Sequence, residues 1–195
     1  MRIFTITVLL AALFILSGCW VFSIQPLYED KDITYDPTLV GTWWQPSAGC
    51  TLVITSKPED RTYQLEYTAS KTSDACLFEP GTKFNITGRM VKLNGRMYMD
   101  VYQPSRDDGV GFPSVPLHSA YLVTLDKISL SLTPLDDDWL DKAVAGKKFS
   151  VERTKTPDFD LILSGPTAEL QELYSKHAGD PEAFKKNPKL TFQRK

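Results

Sequence analysis

The side chains best suited to chemistry in this 195-residue chain are few and scattered. There are two histidines, His118 and His177, and neither has a second His or Cys at metal-ligand spacing. His118 abuts Ser119, but neighbours on a strand point to opposite faces, which separates that base from that hydroxyl. No Gly-x-Ser-x-Gly turn is present to lift a serine nucleophile. Asp136-Asp137-Asp138 lacks the alternate acids, glycine and closing glutamate of a calcium loop, so it is expected to cap a helix. The sequence therefore names no catalytic residue, no metal site and no cofactor. Acids that meet only in three dimensions leave a hydrolase as one alternative.

The three cysteines, Cys19, Cys50 and Cys76, carry more information. Met1-Arg2 is followed by an uncharged apolar run from Ile3 to Leu16. A short positive start and an apolar stretch of this length describe a secretory signal peptide, and the run is shorter than the ~20 residues a spanning helix needs. It closes with Leu16-Ser17-Gly18-Cys19, which resembles the lipobox of bacterial prolipoproteins. The resemblance implies cleavage after Gly18, a diacylglycerol thioether on Cys19 and acylation of the new amino terminus, enough acyl chains for a stable anchor. Residue 20 is Trp and not Asp, which in the family's sorting pattern points to the outer membrane, facing the periplasm. Lipidation of Cys19 also leaves an even pair, so Cys50 and Cys76 are expected to form a disulfide in an oxidising compartment.

Removing residues 1–18 leaves 177 residues with 21 basic and 24 acidic side chains. That is one domain's length, with no basic face for a nucleic acid. Residues 19–34 look like a tether, although Val21, Phe22, Ile24 and Leu27 suit a segment lying against the domain equally well. From residue 35 onward, twelve of the chain's thirteen prolines and ten of its eleven glycines punctuate short apolar runs, a pattern that suits strands.

Leu52 and Ile54, then Tyr63, Leu65 and Tyr67, alternate with polar neighbours, as in strands with one buried face. Phe84 to Tyr102 centres on Asn94-Gly95, the pair that best tolerates a two-residue hairpin turn. That turn sets Leu93 against Arg96, Val91 against Tyr98 and Arg89 against Asp100, and the last pair places opposite charges face to face. The opposite face then holds Met90, Met97, Met99 and Val101. Leu117–Leu125 and Ile128–Thr133 form a second expected hairpin. Helices are expected over Asp136–Ala145 and from Pro166, which suits the first helical position, with Gly179 capping the end of the second. Phe149–Arg153, Phe159–Leu163 and Leu190–Phe192 read as further strands.

The fold expected is mainly β with peripheral helices, an up-and-down antiparallel barrel, with a two-sheet sandwich as the alternative. Gly41-Thr42-Trp43 resembles the Gly-x-Trp opening strand of lipocalins, which implies that the tryptophan packs across the barrel floor beneath a late arginine, here Arg194. Pro26-Leu27-Tyr28 through Gly41-x-Trp43 is similar to the start of small bacterial lipoproteins without assigned activity. Met90, Met97 and Met99, with Trp43, either fill the core or line an adaptable apolar pocket. The expected function is a non-catalytic interaction or docking module of the cell envelope, partnered by the membrane through Cys19 and by an envelope protein. A carrier of a small apolar ligand is the other alternative.

Overall fold

A computed structural model describes residues 21–70, 79–103, 116–146, 151–154, 162–184 and 190–195. Residues 1–18, Cys19 and Cys76 lie outside these, as do parts of the strands expected around Phe149 and Phe159. The elements in chain order are β1 (Phe22–Ser23), β2 (Ile33–Thr34), β3 (Gly41–Gln45), β4 (Cys50–Lys57), β5 (Thr62–Thr68), β6 (Lys83–Leu93), β7 (Arg96–Tyr102), β8 (His118–Leu125), β9 (Ser129–Pro134), α1 (Asp137–Ala145), β10 (Arg153–Thr154), β11 (Ile162–Leu163), α2 (Thr167–His177) and β12 (Leu190–Arg194).

Strands β3 to β9 form a continuous antiparallel meander, and β12 closes it by pairing with β9 on one side and β3 on the other. The result is an eight-stranded lipocalin-like barrel. The sandwich alternative fails because β12 bridges the two free edges and leaves no gap between sheets. The Asn94-Gly95 hairpin has the register its turn dictates: Leu93 faces Arg96, Val91 faces Tyr98 and Arg89 faces Asp100. Asn94 and Gly95 both take positive φ, as a type I′ turn requires.

Strict alternation sorts each strand's side chains between two cores. Trp43, Leu52, Ile54, Tyr63, Leu65, Met90, Met99, Tyr121, Leu130 and Phe192 point inward and fill the barrel. On the outside, Val91, Leu93, Tyr98 and Ala120 form a second core with Leu140 of α1, and with Leu170, Leu173 and Tyr174 of α2. The barrel thus has an inner core and one clad wall. The helices start one residue later than Asp136 and Pro166. Asp136 is the N-cap, its carboxylate accepting the Trp139 N–H at 2.8 Å. Pro166 likewise precedes the first helical residue, and α2 runs to His177 with Ala178, still right-handed, as its C-cap, one residue before Gly179.

Of the two arrangements open to the amino-terminal segment, the structure holds the packed one. Val21, Leu27 and Ile33 are buried. β1 pairs with β8 and β11, and β2 pairs with β6. The segment is a strap that crosses the outside of β8, β7 and β6, then turns under the barrel into β3.

Candidate functional site

The strap is fastened by a buried polar cluster. Alternation along β7 puts Asp100 on the outer wall with Tyr98, and the β7–β8 register sets it opposite Ala120, one position diagonal to His118. There Asp100 Oδ1 lies 2.7 Å from His118 Nδ1, and Oδ2 accepts the Leu27 backbone N–H at 2.7 Å. Asp100 has no accessible surface, and His118 is buried beside it. Tyr28 and Tyr102 flank the imidazole with ring centroids at 6.4 and 5.1 Å. The Arg89 guanidinium sits 5.3 Å from the Tyr28 ring centre, its Nε buried without a hydrogen-bond partner among the described residues.

Burial pushes the Asp100 carboxyl above the usual carboxylate range, although the His118 and Leu27 hydrogen bonds and the Arg89 charge all favour its ionised form. Burial also raises the Tyr28 phenol to about 12, with the Asp100 charge adding to the effect. A carboxylate oriented on an imidazole is the pairing that supports a general base. Here its second oxygen accepts the backbone N–H of Leu27, so the pair also holds the strap. Two further bonds complete the fastening: Thr167 Oγ1 donates to the Pro26 carbonyl at 2.9 Å, and Gln171 Nε2 donates to that of Leu27 at 3.0 Å. Sequence reasoning paired Asp100 with Arg89 across β6 but left His118 without a partner. The link from Tyr102 to His118 holds 15 residues, Gln103 to Leu117, too many for one tight turn to set the β7–β8 register as Asn94-Gly95 sets that of β6 and β7.

At the other end of the strap lies the barrel floor. Arg194 pairs with Trp43 across β12 and β3, and its guanidinium carbon sits 4.2 Å over the indole centre. The Trp43 Nε1–H donates to the Leu39 carbonyl at 2.8 Å. Arg194 also donates to the Val40 carbonyl at 3.2 Å and to the Thr38 carbonyl. Gly41 leaves room for this: its φ is +146°, and a Cβ there would lie 2.9 Å from an Arg194 nitrogen. This is the arrangement that the lipocalin resemblance implies for Gly41, Trp43 and Arg194.

Met90, Met99 and Trp43 come together inside the barrel, with Met97 half-buried against the same cluster. Trp43 and Met99 have no accessible surface, so neither borders a void that a water could enter. In this conformation they pack a core.

Cys50 opens β4 and is fully buried. The chain that carries Cys76 leaves β5 at Ala69 and Ser70, beside the start of β4. The Ala69 N–H donates to the Thr82 carbonyl at 2.8 Å.

The remaining wall of the barrel, β3, β4, β9 and β12, turns Thr42, Trp44, Thr51, Ser131, Thr191 and Gln193 toward solvent. Trp44 (36% exposed) and Ile128 (72%) are the large apolar side chains exposed among the described residues. Gln193 pairs with Trp44 on one side and Ser129 on the other, so Trp44 and Ile128 flank the end of β12 at roughly two strand spacings, about 10 Å.

No protein family and no curated protein matches the sequence, and no solved structure matches the fold.

Proposed function

We propose that the chain is a lipid-anchored, non-catalytic docking module of the cell envelope, held to the outer membrane through Cys19, whose bare wall receives an envelope protein. The observation that carries the reading is the pair of exposed apolar side chains beside the end of β12, Trp44 on the wall that faces solvent and Ile128 in the turn that leads into β9. The buried Trp43 and Met99 support recognition on the outside of the barrel over capture inside it. The signal peptide, the lipid on Cys19 and a Cys50–Cys76 disulfide belong to the same proposal. Closing a loop of that size is worth roughly 3–4 kcal/mol on the chain-entropy model.

A photo-crosslinking residue in place of Ile128, in cells that make the full chain, is expected to give one discrete protein adduct. The same probe in place of Lys176, on the clad wall, is expected to give none. Adducts at both positions, or at neither, would overturn docking through this wall. A co-purified apolar ligand in native mass spectrometry, with no adduct at Ile128, would establish the carrier reading instead.

A further inference from the structure

The wall that carries Trp44 stands apart from the rest of the chain in its charge. Charged residues make up 24% of the sequence, and a soluble surface ordinarily intersperses both signs. Across the middle of this wall the outward side chains are Ser131, Thr191, Gln193, Thr42, Trp44 and Thr51, and none is charged. The register makes them one patch: Thr191 faces Ser131, Gln193 faces Trp44, and Trp44 faces Thr51. The Ser131 and Thr191 hydroxyls share a hydrogen bond at 3.1 Å. Among the described residues, charge returns at the margins, with Lys57 where β4 ends, Glu66 on β5 and Lys195 after β12.

Ile128 is held beside this patch by a turn that is itself fixed. The Asp126 carboxylate accepts the Ile128 N–H at 2.8 Å, the Ser129 N–H at 2.7 Å and the Ser129 hydroxyl at 2.7 Å. The Ile128 carbonyl accepts the Arg194 N–H at 2.8 Å, which ties the turn to β12. A preorganised apolar anchor of this kind has little freedom to lose on binding. The same three bonds engage the one acid of the turn.

A wall without charge selects its partner by desolvation. A lysine or carboxylate pressed against it would leave water and meet no counter-ion. Hydroxyls and an amide can exchange water for a partner's neutral donors and acceptors with little net loss. Such a wall has no field to steer a partner, and salt has nothing to screen. It also offers no cation to the anionic headgroups of a bilayer.

We infer that the envelope protein docked here meets the wall with an uncharged surface, recessed for Trp44 and Ile128 and hydrogen-bonded to the hydroxyls and amide beside them. The inference rests on the docking reading proposed above and adds the partner's chemistry to it.

The test uses envelope membranes from cells that make the full chain with the photo-crosslinking residue in place of Ile128. Before irradiation they are equilibrated in sodium chloride at about 0.01 M or about 1 M, which shortens the screening length from about 30 to about 3 Å. The yield of the protein adduct is expected to change by less than about twofold, where a charge-steered complex would lose about tenfold or more. Adding Thr191→Lys or Thr191→Glu is expected to lower the yield by about tenfold or more. Thr191→Gln, neutral and larger, is expected to keep it. A fall of about tenfold with salt, a yield that either charge at Thr191 leaves intact or raises, or an equal loss with Thr191→Gln would overturn the inference and leave docking standing. No protein adduct at either salt would overturn the docking reading, and the inference with it.

Discussion

Arg194 lies over the face of Trp43, 4.2 Å from guanidinium carbon to ring centre, while the two residues are direct partners across β12 and β3. The contact joins the last strand to the first strand of the barrel at the point where the sheet closes. The arginine also ties down the carbonyls of Thr38 and Val40, just before β3 begins.

Arg194→Ala is therefore expected to cost about 1–2 kcal/mol, the sum of an exposed cation–π contact and hydrogen bonds from a charged donor. Arg194→Lys should recover only part of this, because an ammonium lacks the planar fork that reaches two carbonyls. Gly41→Ala should destabilise similarly, since it strains the backbone at φ +146° and meets Arg194 at 2.9 Å. Urea unfolding of the three variants, followed by tryptophan fluorescence, checks the ranking.

Asp100 gives the fold a pH dependence whose sign follows from its burial. Its folded pKa is raised above the ordinary 3.8, so its contribution is fully present below that value and is lost as pH rises through the folded pKa. Asp100→Asn keeps the shape and does not ionise. The wild type should lose stability relative to that variant as pH rises from about 4, which denaturant midpoints measured between pH 3 and 8 will show. A constant difference across that range would contradict the assignment.

The buried tyrosines predict alkaline unfolding. Burial raises Tyr28, Tyr63 and Tyr98 to about 12. A phenol with a raised folded pKa stabilises the fold fully below its ordinary value of 10, and that stability disappears as pH climbs toward 12. Phenolate absorbance at 295 nm and circular dichroism are expected to change together in that window. Ionisation of all the tyrosines near pH 10 with the fold intact would show that these rings are open to solvent.

Met99→Ala should cost roughly 2–5 kcal/mol, the transfer of a buried side chain plus the cavity it leaves. The half-buried Met97 should cost less on the same change. Equal small losses at both would mean that the interior is roomier than its packing implies, and would favour a ligand-carrying barrel.

Two cysteine experiments test the proposed export chemistry. Cys19→Ser is expected to abolish palmitate labelling and release the protein from the membrane fraction. Non-reducing peptide maps of envelope protein should join the Cys50 and Cys76 peptides; free thiols at both positions would refute the bridge.

The sequence by itself determined what depends on local chemistry. Asn94-Gly95 can take two positive φ angles, so the hairpin register followed, and with it Arg89 facing Asp100 and three methionines on one face. Period-two alternation likewise marked Leu52, Ile54, Tyr63 and Leu65 as inward-facing. Tertiary structure alone decided the relations that cross long stretches of chain. The pairing of β12 with both β9 and β3 turned a meander into a barrel, since closure depends on how twist and stagger accumulate over eight strands and not on any one strand's pattern. The meeting of Asp100, His118 and Leu27 required the β7–β8 register and the path of the strap, which come from residues 18 and 73 positions apart. A strand's alternation says which side chains face outward. It does not say which outward faces another segment will cover, because that is settled by whichever arrangement of the whole chain buries the most apolar surface while leaving the fewest polar groups unpaired.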